Sequence, residues 1–268
     1  MNSITGTHWA DGSALATATP GTRHVPPCPD RPVYAIGDLH GRADLIAPMM
    51  NRIDADIVRL GLEDARIVFL GDYIDHGERS AVTLAVLKRL SESVEGDVIC
   101  LMGSHERMML DFLDSPAQRG PRWLKQGGIQ TLASFGITGV CTLNHGHELE
   151  AAAETLRKAL PEGMEAWLRA RPMLWQSGNV VCRHAVAERT GPAGRGDKVL
   201  LLGQRDAINA GRRDGIWVVH GHTVVKRPTA GFGRISVDTG AFFTGQLSAA
   251  AILPGQPVRF LSVSDGPL

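Results

Sequence analysis

Arg66-Ile67-Val68-Phe69-Leu70-Gly71-Asp72-Tyr73-Ile74-Asp75-His76-Gly77 is the stretch of sequence that decides the fold. Its apolar first half predicts a buried strand, and the abrupt change at Gly71-Asp72 puts a carboxylate in the loop at the strand's carboxyl end. Four other apolar runs end in the same way. They are Val33–Ile36 before Asp38 and His40, Val98–Met102 before Ser104 and His105, Val180–Arg183 before His184, and Ile216–Val219 before His220 and His222.

These five runs predict a sheet whose strand ends converge on a metal ion. The donors on offer are aspartate oxygens and histidine nitrogens, without a cysteine. Such a set suits manganese, iron or zinc used for catalysis better than a closed structural zinc.

The composition limits the classes of function. A chain of 268 residues, 43% of them hydrophobic, can bury one large core or two modest ones. Its 28 basic residues balance its 28 acidic ones, so the net charge favours neither nucleic acid nor an anionic membrane as a partner. The four cysteines are scattered, which indicates buried or incidental thiols in a reducing compartment rather than disulfides or a thiol nucleophile. We see neither a signal peptide nor an apolar run of membrane length, and therefore expect a cytoplasmic protein.

Helical and extended patterns alternate in the first half of the chain. Apolar residues recur at helical spacing over residues 45–60 and again over 79–90, each time between two of the predicted strands. Strand–helix–strand–helix–strand is typical of an α/β layer with parallel strands. Residues 107 to about 176 change character, and we interpret them as a mostly helical insertion over the site.

The rest of the chain returns to strands, predicted over residues 198–202, 234–238 and 258–263 besides the runs quoted above. Residues 241–252 suggest a hairpin around Thr244-Gly245. Residues 1–30 lack periodicity and are rich in proline, which predicts a flexible leader. We therefore place one catalytic domain over residues 31–268.

Four segments together resemble the ordered motifs of the phosphoprotein-phosphatase family of calcineurin-like metallophosphoesterases. Bacterial members include serine/threonine phosphatases and diadenosine tetraphosphatases. The resemblance spans about residues 32–252 and implies a β-sandwich of two mixed sheets flanked by helices. The segments are Gly37–Gly41, Gly71–Gly77, Gly103–Glu106 and Val219–Thr223, and Val237–Ala241 resembles the tail of bacterial members.

The resemblance also implies roles for individual residues. Two divalent cations, manganese before iron or zinc, are expected about 3.5–4 Å apart. Asp38 and His40 would hold the first, His184 and His222 the second, and Asp72 would bridge both. A metal-activated water would attack a phosphate ester, His105 would protonate the leaving oxygen with Asp75 orienting its ring, and Arg205 would grip the phosphate. His220 is left as a structural neighbour, and His145 and His147 as solvated loop residues rather than a second metal site.

Two polar positions depart from the family pattern. Ser104 stands where the family has an asparagine ligand to the second metal, and His76 stands where it has a phosphate-binding arginine. Val186 also replaces a glycine after His184. A hydroxyl is a poorer ligand than an amide oxygen, and an imidazole of ordinary pKa near 6.5 is mostly neutral at pH 7. We therefore expect a loosely held second metal, weaker phosphate binding and activity that leans towards acidic pH.

Three functions remain open from the sequence. The first is a metal-dependent phosphatase acting on phosphomonoesters, either phosphorylated proteins or small phosphate esters. The second is a dinucleoside polyphosphate hydrolase, although the sequence offers no clear segment for stacking a base. The third is an impaired pseudo-phosphatase that binds phosphate or a partner. Ser104 and His76, which depart from the family pattern, are the reason for considering it. The oligomeric state is not predicted.

Overall fold

The computed structural model describes residues 25–93, 96–185 and 211–266, which form a two-sheet α/β sandwich. The strands are β1 (Val33–Ile36), β2 (Arg66–Phe69), β3 (Val98–Cys100), β4 (Leu174–Ser177), β5 (Val180–Arg183), β6 (Trp217–His220), β7 (Thr229–Gly231), β8 (Arg234–Ser236), β9 (Gln246–Ile252) and β10 (Arg259–Ser264). The helices are α1 (Ile46–Leu60), α2 (Ser80–Ser93), α3 (Ser104–Asp114), α4 (Pro116–Trp123), α5 (Ile129–Ser134), α6 (His147–Ala159), α7 (Met164–Arg169) and α8 (Ala241–Thr244). A 3₁₀ turn at Ala43–Leu45 precedes α1, and a π-helical turn at Leu124–Gly128 joins α4 to α5.

Within the described residues, each sheet has five strands and a parallel centre. The first has the order β10-β9-β1-β2-β3, with β1, β2 and β3 parallel and β9 and β10 antiparallel. The second has the order β4-β5-β6-β8-β7, with β5, β6 and β8 parallel. The expected pair of mixed sheets flanked by helices is confirmed. The strand ends that carry the predicted ligands thus come from two sheets, where the apolar runs alone suggested one.

Alternation along β1 explains why the sheets stack. Val33 and Ala35 belong to a buried apolar cluster that includes residues from both sheets, whereas Tyr34 and Ile36 belong to the cluster shared with the helices. All four side chains are fully buried. A strand buried on both faces has the nearly continuous apolar sequence seen here, and stacking two such sheets removes both faces from water.

Helices α3 to α7 lie within residues 104–169 and account for most of residues 107–176, the segment predicted as a helical insertion. The sequence pattern predicted neither α7 nor strand β4, which starts at Leu174 within the predicted insertion. The predicted strand at 198–202 lies outside the described residues, as do residues 1–24 of the predicted leader.

The hairpin predicted over residues 241–252 is wrong in its first half. Ala241–Thr244 form the short helix α8, and only Gln246–Ile252 are extended. Gly240 and Gly245 flank the helix with φ of 68° and 71°, a left-handed conformation that glycine adopts without steric cost. These two glycines close a helical turn in a segment whose phenylalanines and threonine favour a strand.

Across the described ranges, no helix has the combination of length and apolarity that crossing a lipid bilayer requires.

Candidate active site

The loops after the parallel strands of both sheets meet at one edge of the sandwich. The backbone N–H of His40 donates to the carbonyl oxygen of Asp72 at 2.9 Å, which ties the loop after β1 to the loop after β2. The backbone N–H of His222 donates to Oδ2 of Asp38 at 3.0 Å, which ties the second sheet to the first. The parallel centres of both sheets thus deliver their carboxyl ends to one place. The sequence predicted this convergence of strand ends, but within a single sheet.

Asp72 stands at the centre of this arrangement. Its Oδ2 lies 3.2 Å from Nε2 of His184 and 3.8 Å from Nε2 of His40. Asp38, His40 and Asp72 form one group whose donor atoms all lie within 4.8 Å of one another, and Asp72, His184 and His222 form a second. Two groups that share one carboxylate correspond to the ligand sets implied for a pair of cations.

The ring nitrogens of His40 and His184 are oriented by backbone carbonyls. Nδ1 of His40 lies 2.8 Å from the carbonyl oxygen of Ile74, and Nδ1 of His184 lies 3.1 Å from that of Leu70. A ring that donates through Nδ1–H keeps a lone pair on Nε2, the tautomer that metal-binding histidines use. Burial lowers the pKa of His40 to about 3, so its neutral, ligating form prevails at pH 7.

Two buried atoms fit a metal centre. Among the described residues, Oδ1 of Asp38 has no hydrogen-bond partner, and the contact of Nε2 of His184 with Oδ2 of Asp72 at 3.2 Å is an ion-pair contact without hydrogen-bond geometry. The lone pair on Nε2 of His184 faces an oxygen of Asp72, a repulsive contact unless a proton or cation lies between them. An unpaired buried carboxylate oxygen is likewise costly, and a cation removes that cost.

The local charge also favours cations. Four buried carboxyl groups lie close enough to affect one another: Asp38, Asp72, Glu106 and Asp238. Burial and the charge of Asp238 raise the pKa of Asp38 well above its usual range. Burial also raises the pKa of Glu106 to about 7 and that of Asp238 to about 6. Burial opposes the charge on Asp72 too, but His184 and His105 outweigh it and hold the pKa of Asp72 well below its usual range.

Several residues of the candidate site also have an unusual backbone conformation. Among the described residues, seven other than glycine have a positive φ, and five of these are His40, Asp72, Asp75, His76 and His222. Such conformations cost about 1–3 kcal/mol each and persist where the surroundings enforce them, typically in functional sites. The sequence pattern contained no signal for this feature.

Glu106 organises the central loop, a role that sequence reasoning missed. Its Oε1 accepts a hydrogen bond from the N–H of Tyr73 at 2.7 Å, and its Oε2 accepts from the N–H groups of Asp72 at 2.9 Å and Gly103 at 3.0 Å. One buried carboxylate therefore fixes both the loop after β2 and the start of α3. Its position as third residue of the helix, where glutamate commonly caps the N-terminus, was the available signal.

His105 and Asp75 form a closely hydrogen-bonded pair beside the two ligand groups. Nδ1 of His105 lies 2.6 Å from Oδ2 of Asp75, and Nε2 of His105 lies 3.8 Å from Oδ2 of Asp72. Asp75 is fully buried and also accepts hydrogen bonds from Trp123 Nε1 at 3.0 Å and Thr131 Oγ1 at 2.6 Å. The region predicted as an insertion thus contributes two residues that hold Asp75 in place.

Burial lowers the pKa of His105, but the carboxylates of Asp72 and Asp75 more than offset it and raise the pKa to about 9. His105 is therefore protonated at pH 7 and can donate a proton. A cation bound by Asp72 would offset the charge of that carboxylate and move the pKa of His105 down towards neutrality.

His76 lies beside this pair. Its ring centroid is 5.0 Å from that of His40 and 5.2 Å from that of His105, and ring nitrogens of the three lie within 4.8 Å of one another. Phe242 stacks on His76 with centroids 4.7 Å apart and an angle of 19° between the rings. Burial, together with the charge of His105, lowers the pKa of His76 below its usual value. Arg205, the other predicted phosphate-binding residue, lies outside the described residues, as does Val186.

Ser104 donates from Oγ to the oxygens of Asp72 at 3.2 and 3.3 Å. The hydroxyl therefore contacts the shared carboxylate itself. His220 belongs to neither ligand group, and its Nε2 lies 2.9 Å from Oγ of Ser236. His145 and His147 are exposed.

A family model described as calcineurin-like phosphoesterase matches residues 31–226. The chain belongs to this family. Calcineurin-like phosphoesterases are metal-dependent hydrolases of phosphate esters, as the sequence motifs implied.

Curated relatives of this calcineurin-like phosphoesterase carry different substrate names. The chain is 25% identical over 241 residues to an asymmetrical bis(5'-nucleosyl)-tetraphosphatase of Bacillus velezensis, covering 80% of this chain and 86% of the relative. It is 28% identical over 237 residues to serine/threonine-protein phosphatase 1 of Salmonella typhimurium, covering 83% and 92%. The comparison therefore shows the family and leaves the substrate open.

Among solved structures, one provisionally described as a diadenosine tetraphosphatase superposes with a TM-score of 0.53 and 17% identity. The superposition covers 88% of this chain and 95% of the other. At this level of identity the likeness shows the fold, and it agrees with the sandwich described above.

Proposed function

We propose that this protein is a metal-dependent phosphatase that hydrolyses phosphomonoesters, either phosphorylated proteins or small phosphate esters. One observation carries the proposal. The carboxylate of Asp72 is shared between two groups of potential metal ligands and lies 3.8 Å from the imidazole of His105, a general acid already paired with Asp75.

The residues that would hold the cations are Asp38 and His40 for one, His184 and His222 for the other, and Asp72 for both. When bound, two divalent cations supply Lewis acidity that activates a water molecule and neutralises charge on the phosphoryl oxygens. Manganese is our first choice, with iron or zinc as alternatives, because the donors are carboxylate oxygens and imidazole nitrogens.

His105 would donate a proton to the ester oxygen as the bond between that oxygen and phosphorus breaks. Asp75 holds the ring by Nδ1, leaving Nε2 directed towards the shared carboxylate and the reacting group. Proton donation by a positioned side chain contributes about 10²–10⁴-fold to rate. His76 and Arg205 would contact the phosphate.

Dinucleoside polyphosphate hydrolysis is the second candidate, and the Bacillus relative favours it. An assay of p-nitrophenyl phosphate beside diadenosine tetraphosphate, each with Mn²⁺, Fe²⁺, Zn²⁺ and Mg²⁺, separates the two. Faster turnover of the monoester supports the proposal, whereas turnover of the dinucleotide alone supports the second candidate.

Ser104 and His76 motivate the pseudo-phosphatase as a third candidate. Metal content measured alongside the assay tests it. One bound ion and no turnover, even with excess Mn²⁺ or in the double variant Ser104→Asn with His76→Arg, would overturn the enzymatic proposal in favour of a binding protein.

A further inference from the structure

Two adjacent phenylalanines form an aromatic rim beside the candidate site. Phe242 stacks on His76 and also lies edge-on to His40, with centroids 5.3 Å apart and an angle of 75°. Phe243 contacts Phe242 edge-on at 4.9 Å and is 61% exposed to solvent. A continuous aromatic surface therefore leads from the histidines of the site out to water.

This aromatic rim is held in place before any ligand binds. Helix α8, which carries it, is anchored by Arg42, whose Nη1 donates to the carbonyl oxygen of Ala241 at 2.9 Å. A Cβ atom added to Gly240 would lie 2.3 Å from the ring of Phe243, so this ring packs closely against the glycine. A preordered apolar surface binds a ligand without the entropy loss of ordering a loop.

Single exposed apolar side chains are common and need no explanation. Phe243 differs because it extends a stack that begins on His76, the residue we place at the phosphate. Because Phe242 stacks on His76, it offers an apolar surface to a substituent carried by a phosphate bound at His76. A flat ring attached directly to the ester oxygen can pack on both phenylalanines in the offset or edge-on geometries that aromatic pairs favour. The short alkyl chain of a phosphoserine offers little such surface.

We propose that Phe242 and Phe243 form an aryl-binding subsite, which selects phosphate monoesters whose phosphate is attached directly to an aromatic ring, as in phosphotyrosine. The proposal rests on the proposed function and narrows its substrate class. A nucleobase is the competing ligand for this surface. It differs from an aryl ester because a ribose separates it from its phosphate.

The test measures binding by calorimetry on the Mn²⁺-loaded protein, so that its reading does not depend on turnover. The probes are phenylphosphonate and methylphosphonate, which a phosphatase cannot hydrolyse, together with adenosine monophosphate at low temperature. The variant is Phe243→Ala. The matched control is Phe232→Ala, since Phe232 is also exposed (66%) but lies between β7 and β8, at the opposite end of the second sheet from His220.

We expect wild-type protein and Phe232→Ala to bind phenylphosphonate more tightly than methylphosphonate. Phe243→Ala should weaken phenylphosphonate binding about three- to tenfold, the contribution typical of one aromatic pair, and leave methylphosphonate within about twofold. If Phe243→Ala weakens the binding of both phosphonates equally, the proposed aryl-binding subsite is wrong. If it weakens the binding of adenosine monophosphate more than that of phenylphosphonate, the aromatic rim binds a nucleobase instead. Absence of hydrolysis of every phosphate ester, with phenylphosphonate preference intact, would instead overturn the proposed function and leave the subsite standing.

Discussion

Nδ1 of His105 lies 2.6 Å from Oδ2 of Asp75, and this pair links the ligand groups to helices α4 and α5. Trp123 and Thr131, on helices α4 and α5, hold Asp75 from the other side. The position of His105, the proposed general acid, therefore depends on side chains from two other helices.

Replacing Asp75 should impair proton donation more than phosphate binding. We expect Asp75→Asn to lower kcat by about 10²-fold for phenyl phosphate, because His105 loses the carboxylate that orients and charges its ring. The loss should be clearly smaller for p-nitrophenyl phosphate, whose leaving group needs less protonation. Thr131→Val serves as the milder comparison, because it removes no charge. It removes the hydrogen bond that the threonine hydroxyl donates to Oδ1 of Asp75 and the one that it accepts from the backbone N–H of Asp75. Equal losses for both substrates would show that Asp75 does not act through proton donation.

Ser104→Asn should tighten the second metal site. The substitution supplies an amide oxygen where the hydroxyl now donates to Asp72. We expect affinity for the more weakly held Mn²⁺ to rise roughly tenfold, the size of effect that single residues around a metal produce. Calorimetric titration of the metal-free protein measures this directly. If Ser104→Asn leaves the affinity for both ions unchanged, Ser104 does not weaken the second metal site.

His76→Arg should matter most at alkaline pH. Burial and His105 lower the pKa of His76, so its cationic form exists only below its usual pKa and is lost as pH rises. Arginine stays charged throughout and restores a contact worth about 1.5–3 kcal/mol. We therefore expect kcat/KM of the variant to exceed that of wild type by at least about tenfold at pH 8, and the gap to narrow towards pH 5. A variant no faster at pH 8 contradicts the role given to His76.

Asp56 should stabilise the folded protein at a position remote from the candidate active site. It accepts hydrogen bonds from Tyr34 at 2.7 Å, Arg259 at 2.7 and 2.9 Å and Arg59 at 2.6 Å, and so joins α1 to β1 and β10. Asp56→Ala leaves the hydroxyl of Tyr34 buried without this acceptor, which should cost about 2 kcal/mol in free energy of unfolding at pH 7. The exposed Asp54→Ala, on the same helix, should change stability by less than about 0.5 kcal/mol.

The contribution of Asp56 to stability depends on pH, and the sign of this dependence follows from the pKa of Asp56. Arg259 above all holds the pKa of Asp56 in the folded protein below its value in the unfolded chain. The stabilisation from Asp56 is therefore complete above about pH 4 and is lost as pH falls through the folded pKa. Urea unfolding of wild type and Asp56→Ala at pH 7 and pH 3 should show a smaller difference at the lower pH. A difference that does not depend on pH would mean that the charge of Asp56 contributes nothing.

The sequence could predict the strands and their polar ends because both are local signals. An apolar run followed by Asp or His is visible within ten residues, and the ends of parallel strands meet at one edge of a sheet whatever the loops do. The contacts of Asp75 with Trp123 and Thr131 join residues 48 and 56 positions apart, so no local pattern indicates them. The aromatic rim was missed for a different reason. Its β-favouring residues suggested a hairpin, whereas two left-handed glycines close the turn as a helix.

The most direct test of the account is anomalous scattering from a crystal of the protein grown with Mn²⁺. We predict two peaks about 3.5–4 Å apart, both within bonding distance of Asp72, with His40 beside one and His184 beside the other. Asp72→Asn should lose at least one of these peaks. A single peak away from Asp72, or none at saturating Mn²⁺, would contradict the claim that strand ends from both sheets build one dinuclear centre.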